Sequence, residues 1–229
     1  MSENQTSQLI GRQPEGVQPG DPQSAGLPSG DAQSGDPRPW YARAREQMAG
    51  LVAEAGPEQF GAPTPCTGFD LRDLLGHILG GCDRWALLGE GGDGLAVESM
   101  VSGVPAEGWS AAYEQASARV ARAWAPDARM EAAVPVPWGT APGRLALTGY
   151  VLETVTHAWD LARALGGDAA ARLDPELAEF ALGFALRAVP AERPAAGSGP
   201  FGPVRPVGEN AAPYDRLVGW LGREPDWAA

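Results

Sequence analysis

The chain has 229 residues, of which 44% are hydrophobic and 20% charged, enough apolar content for one folded domain with tails. The formal net charge is -12, and all 17 basic side chains are arginine. So acidic a surface repels phosphate backbones, which excludes a nucleic-acid partner as an expectation.

No apolar run is long enough to span a bilayer, so no membrane partner is expected. The N-terminus lacks the basic-then-apolar pattern of a secretory signal, and the chain is expected in the cytoplasm. Residues 1–38 are rich in Gly, Pro, Ser, Gln and Asp and contain no aromatic residue. Such a stretch buries too little surface to offset its ordering entropy, which predicts a disordered tail or a leader that docks only weakly. A first helix is predicted from about Trp40 to Ala55, ending at Gly56-Pro57. The second starts at Asp70, an N-cap with Asp73 in the first turn, and carries Leu71, Leu74, Leu75, Ile78, Cys82 and Trp85 at helical spacing. The Gly-rich stretch from Gly89 to Gly94 ends it. A third helix is predicted from about Gly108 to Trp124, with Ala111, Ala112, Ala116, Val120 and Ala121 on its apolar side.

A proline-containing loop, Pro126 to Gly143, leads to a fourth helix from about Leu145 to Leu165, stopped by Gly166-Gly167. Asp174-Pro175 is a start signal for a fifth helix that runs to about Val189. Pro213 to Leu221 reads as a last short helix ending at Gly222. The remainder alternates Pro and Gly with short apolar pieces, and Val204 to Val207 is the one candidate strand. The sum is an all-α fold: a four-helix bundle over 39–168, with a helical and irregular extension over 169–229 packed on it. Cys66 and Cys82 do not form a disulfide framework and are expected as thiols, Cys82 as a small core residue.

The two histidines, His77 and His157, both lie inside predicted helices. Glu153 and His157 are spaced i, i+4, so both project from one helix face. A carboxylate–imidazole pair of that spacing grips one metal ion if a facing helix supplies a third ligand, for which His77 is the obvious source. Two nitrogens and one carboxylate oxygen suit Zn²⁺ best, with Ni²⁺, Fe²⁺ or Mn²⁺ as alternatives. His77 sits at the edge of its helix's apolar stripe, with Gly80 and Gly81 one turn on, leaving room for an ion, a ligand or another helix. The same spacing also serves as an exposed helix pair worth about 0.2–0.5 kcal/mol. Asp160 either orients a ligand histidine or bonds a backbone group or Arg163. Arg84, two helical turns after His77, is either a receiver for a substrate carboxylate or a solvated helix arginine.

Residues Ala62 to His77, which include Pro63-Thr64-Pro65-Cys66 and Phe69-Asp70-Leu71, resemble a known block. It is the "PTPC–x–x–W–D–V–x–x–L–x–x–H" opening of the actinobacterial mycothiol-dependent maleylpyruvate isomerase-like proteins, members of the DinB-like metal-binding superfamily. Residues Leu152 to Ala164 resemble the family's second block, "E–x–x–x–H–x–W–D–L–A–x–A". Trp138 to Gly143 is similar to the loop before that block, and Phe201-Gly202-Pro203 with Leu217 to Pro225 is similar to its tail. The resemblance covers about residues 40–225. Phe69 stands where the family has Trp, and Cys82 where a polar residue such as Asn is common.

This resemblance implies a DinB-like four-helix bundle with His77, Glu153 and His157 as ligands of a divalent ion. It also implies activation of a low-molecular-weight thiol, mycothiol or bacillithiol, as cosubstrate for S-transfer to a small electrophile or for its cis–trans isomerisation. Asp160 and Arg84 are the accompanying catalytic candidates. Two other readings stay open at this level: a thiol-independent metalloenzyme of specialised metabolism catalysing addition, elimination or hydrolysis, and a non-catalytic metal- or small-molecule-binding protein. A homodimer paired through a helix face is compatible with the fold, though no face selects it.

Overall fold

In the computed structural model the described residues are 35–193 and 200–228. Most of the stretch assigned to a tail, residues 1–34, lies outside them. The helices are α1 (Arg38–Glu54), α2 (Leu71–Glu90), α3 (Trp109–Ala123), a short α4 (Asp127–Glu131), α5 (Gly143–Leu165), α6 (Pro175–Ala188) and α7 (Pro213–Trp220). Their ends follow local chemistry. The Asp70 carboxylate accepts from the Asp73 N–H at 2.8 Å and caps α2. Asp174 caps α6 by accepting from the Glu176 N–H at 3.0 Å, with Pro175 in the first turn. Gly91 closes α2 at φ +90, a conformation that side chains with a Cβ rarely adopt.

The four long helices close a ring. Helix α1 packs on α3 and α5, and α2 packs on the same two. Inside lie Met48, Leu74, Leu75, Val120, Trp124, Leu147, Val151 and Leu161, all buried. Helix α6 packs on the outer side of α5 and carries α7. The chain is therefore an all-α bundle with an added C-terminal helix pair.

Two local expectations change. The loop from Pro126 to Gly143 contains α4 and an antiparallel hairpin, β1 (Ala133–Val136) with β2 (Gly139–Pro142). Alternation was present, since Val134 and Val136 are buried while Ala133 and Pro135 are exposed. Pro135 and Pro142 obscured it, because proline argues against a strand unless the strand is an edge, and both strands of a two-stranded sheet are edges. Conversely, Val204 to Val207 is not a strand. Pro206 removes a backbone donor, and the segment instead makes a single ladder-like bond, from the Arg205 N–H to the Gly219 carbonyl at 2.8 Å. Among the described residues no helix is long and apolar enough to cross a membrane.

Candidate metal centre

Helices α2 and α5 face each other along a seam built for close approach. His77, Gly81 and Trp85 recur one turn apart on α2, and Gly149, Glu153 and His157 do so on α5. The rings of His77 and His157 meet edge to face with centroids 4.9 Å apart. Gly81 stands opposite Glu153: a Cβ there would lie 3.2 Å from Glu153 Oε1. The space for the carboxylate thus exists because α2 carries a glycine at that rung. One nitrogen of each histidine and one oxygen of Glu153 all lie within 4.8 Å of one another, and all three residues are half-buried.

Hydrogen bonds decide which atoms remain available. His77 Nδ1 lies 3.1 Å from the Ser99 carbonyl oxygen. A carbonyl oxygen only accepts, so Nδ1 carries the proton and Nε2 keeps its lone pair. His157 Nδ1 is 2.9 Å from Asp160 Oδ2, and the same logic puts a proton on Nδ1 and leaves Nε2 as the nitrogen that Asp160 does not engage. Trp85 Nε1 donates to Glu153 Oε2 at 3.1 Å, leaving Oε1 beside Gly81. One nitrogen of each imidazole and one carboxylate oxygen therefore come together from two packed helices, while Nε2 of each ring and Glu153 Oε1 stand outside these hydrogen bonds. This donor set fits a divalent ion in an open, three-ligand arrangement.

The electrostatics agree with that fit. Burial, and secondly the neighbouring His157, push the His77 imidazole down to about 4, so the ring is neutral and ligand-competent at pH 7. Burial raises the Glu153 carboxyl above the usual carboxylate range, against the opposing influence of His157, Trp85 and Arg84. A cation between these groups relieves the cost of that buried charge.

The segment Val97–Val101 crosses α2 on one side of the site. Gly76 and Gly80 make room for it: a Cβ on Gly80 would lie 2.5 Å from the Ser99 carbonyl carbon, and one on Gly76 would strike the Val101 carbonyl oxygen. Of the glycines expected to leave room, Gly80 thus admits backbone, and Gly81 alone faces the carboxylate. Phe69, at the position of the family's Trp, has its ring 5.4 Å from that of His77.

Asp160 is fully buried, with both oxygens engaged. Arg223 Nε donates to Oδ1 at 2.7 Å, and Arg223 Nη2 donates to Oδ2 at 2.8 Å. Burial alone would raise this carboxyl, but the Arg223 charge and the bonds from His157 and Arg223 hold it below the usual range. Asp160 thus bonds the His157 imidazole and a guanidinium, not a backbone group. The partner is Arg223 rather than Arg163, which instead donates to the Trp227 carbonyl and lies 5.6 Å from the Trp159 ring centroid.

Arg84 is half-buried, not a freely solvated helix arginine. Its Nη2 donates to the Val97 carbonyl at 2.8 Å, and its buried Nε has no acceptor among the described residues. Cys82 is a buried thiol that accepts from the Tyr150 hydroxyl at 3.2 Å, and burial pushes it up to about 12. Cys66, His157 and Asp160 form a second convergent group. Arg223 and His157 already occupy the Asp160 oxygens, so that group offers no free ligand set. Three contributors were not singled out from sequence: the Ser99 carbonyl, Trp85 as a donor, and Arg223. Trp85 was visible only as an apolar-stripe residue, and nothing local marks Arg223, which lies 63 positions from Asp160.

Residues 41–162 match the family described as the mycothiol maleylpyruvate isomerase N-terminal domain. Two uncharacterized proteins of Mycobacterium tuberculosis, from two strains, are each 32% identical to the chain over 191 residues, covering 82% of it and 98% of their own length. No solved structure matches the chain.

Proposed function

The chain belongs to the mycothiol maleylpyruvate isomerase N-terminal domain family, which is mycothiol-associated and metal-binding, and from that premise we propose that it is a cytoplasmic metalloenzyme acting with a low-molecular-weight thiol. Its divalent ion, zinc in first place, is held by His77 Nε2, His157 Nε2 and Glu153 Oε1. The observation that supports this reading is the pair of occupied Nδ1 atoms, which leaves Nε2 of each ring as the nitrogen to bind an ion in the cluster with Glu153. An ion bound there supplies Lewis acidity, lowering the pKa of a coordinated thiol toward neutrality.

The chain's own residues orient and exclude. Ser99 and Asp160 hold the two imidazoles in one tautomer, and Trp85 fixes the rotation of the Glu153 carboxylate. The orphaned Nε of Arg84 is the donor available to a carboxylate on the substrate. The reaction class is addition of the thiol to a small unsaturated electrophile. Sulfur forms a bond to one carbon of a double bond conjugated to a carbonyl as the π bond opens, and its electron pair moves onto the carbonyl as an enolate. The thiol proton passes to a base, which returns it to the α-carbon if the adduct is kept; expulsion of sulfur instead returns the pair to the double bond. Retention of the adduct is S-transfer. Expulsion of the sulfur after rotation about the former double bond is cis–trans isomerisation. In this reading residues 39–168 are the metal-binding unit and 169–229 an extension that supports it.

The test is elemental analysis of protein purified without added metal or a chelating tag. About one equivalent of zinc is expected, lost in His77→Ala and in His157→Ala while circular dichroism stays helical. Glu153→Gln is expected to weaken binding less. Full metal content in both histidine variants overturns the site. Turnover of electrophiles that persists after complete removal of thiol overturns the thiol chemistry.

A further inference from the structure

The segment after α7 reaches back to α5 through one side chain. Helix α7 docks on α6, and the chain turns sharply at Gly222, which has φ +88. A Cβ on Gly222 would lie 2.5 Å from the Gly202 backbone, so the turn is possible only because two glycine backbones touch there. Arg223 follows at once, its N–H bonded to the Val218 carbonyl at 2.9 Å, and its guanidinium enters the interior beside α5. Its side chain is only 12% exposed, and that of Asp160 is not exposed at all.

We infer that this C-terminal segment is part of the metal centre, with Arg223 as a positioning residue that fixes the ring orientation and tautomer of His157 by way of Asp160. The fork of Arg223 grips both Asp160 oxygens at 2.7 and 2.8 Å, which locks the carboxylate plane. That carboxylate then offers Oδ2 to His157 Nδ1 at 2.9 Å in one direction only. Which imidazole nitrogen carries the proton is set by the bond the other makes, so the lock on Asp160 is a lock on Nε2. Arg223 lies beyond the residues 41–162 that match the family's domain, so that unit on its own lacks the guanidinium that holds Asp160. The inference rests on the proposal that His157 is a ligand, but the state of its ring is observable without any metal.

The test uses the full chain with nitrogen-15-labelled histidine, metal-free, and reads the two imidazole patterns by long-range proton–nitrogen NMR. With two histidines in the sequence, each pattern is assignable by deleting the other ring. The unaltered protein is expected to show one His157 pattern, with a proton held on Nδ1. Arg223→Met is expected to lose that single form, and Arg223→Lys, which keeps the charge without the fork, to retain it in part. Added zinc, followed by competition with a chromophoric chelator, should bind about 10- to 100-fold more weakly in Arg223→Met. Arg216→Ala, which removes a surface ion pair of α7 with Glu179, should leave both readouts unchanged.

Should Arg223→Met fail to fold, Asp160→Asn breaks the same link from the other end and is expected to shift the His157 pattern alike. A His157 pattern unaltered in whichever of these variants folds overturns the inference, even if melting temperature falls, because that is the signature of a merely structural ion pair. Absence of zinc binding in the unaltered protein would refute the metal proposal, and the NMR result would still decide the role of Arg223.

Discussion

Gly81→Ala separates stability from metal binding in a single methyl group. Gly81 lies in the interior of α2, where alanine is favoured over glycine by about 0.8–1 kcal/mol through helix propensity alone. The added Cβ would sit 3.2 Å from Glu153 Oε1 and 3.9 Å from Tyr150 Cε2. The second contact is ordinary. The first is tight, but it falls on the end of a flexible side chain, so the carboxylate yields by roughly a few tenths of an ångström rather than the helix moving. Because Oε2 stays tied to Trp85 Nε1 at 3.1 Å, the motion is a rotation that carries Oε1 away from the histidine nitrogens. Ligand groups must be held to within about 0.5 Å, so zinc affinity is expected to fall about tenfold, near 1.4 kcal/mol. The metal-free variant should melt about 1–3 °C higher. Thermal unfolding without metal and a zinc competition assay measure the two effects. A lower melting temperature would refute the claim that the carboxylate yields. Unchanged zinc affinity would refute Oε1 as a ligand atom.

Gly80→Ala, one residue away, is expected to behave oppositely. Its Cβ would lie 2.5 Å from the Ser99 carbonyl carbon and 2.7 Å from the Met100 nitrogen, so backbone must move, at a cost of about 1–3 kcal/mol in denaturant unfolding. A stabilised Gly80→Ala would show that the crossing of Val97–Val101 is loose. Acidification tests the His77 environment. Its imidazole pKa falls from 6.5 to about 4 on folding, so the unfolded chain takes up the proton first. Stability of the metal-free protein from this group is therefore intact above pH ~6.5 and lost as pH falls toward about 4, on the order of 3 kcal/mol at most. Glu153 works in the other direction, since its raised folded pKa favours the native state at low pH and that contribution is lost as pH rises through the raised value. The pH-dependence of unfolding in His77→Asn, subtracted from that of the unaltered protein, isolates the histidine; no difference between them would contradict its burial. A chain beginning at about Asp36 is expected to keep its helicity, melting temperature and zinc content, and a failure to fold would contradict the reading of the N-terminal stretch as a tail.

Much of the architecture was legible in the sequence because it is set within a few residues. Apolar residues at helical spacing, Asp70 and Asp174 as caps, and glycines after the helices determined where the long helices lie, for the reason that backbone geometry and capping act over one or two turns. The i, i+4 spacing of Glu153 and His157 placed both on one face by itself. Local signals were weaker where two preferences competed. The prolines of Ala133–Pro142 hid a hairpin that survives because both of its strands are edges, and the valines around Pro206 suggested a strand where the segment makes one backbone bond, to a helix. Only the tertiary structure decided what completes the centre. It set His77 against His157, chose Ser99 and Asp160 as acceptors for the two Nδ1 atoms, turned Trp85 from a core residue into a donor to Glu153, and brought Arg223 to Asp160 across 63 positions. These contacts have no local signature, because each depends on which helix faces pack together and on how closely glycines such as Gly80, Gly81 and Gly222 let two backbones approach.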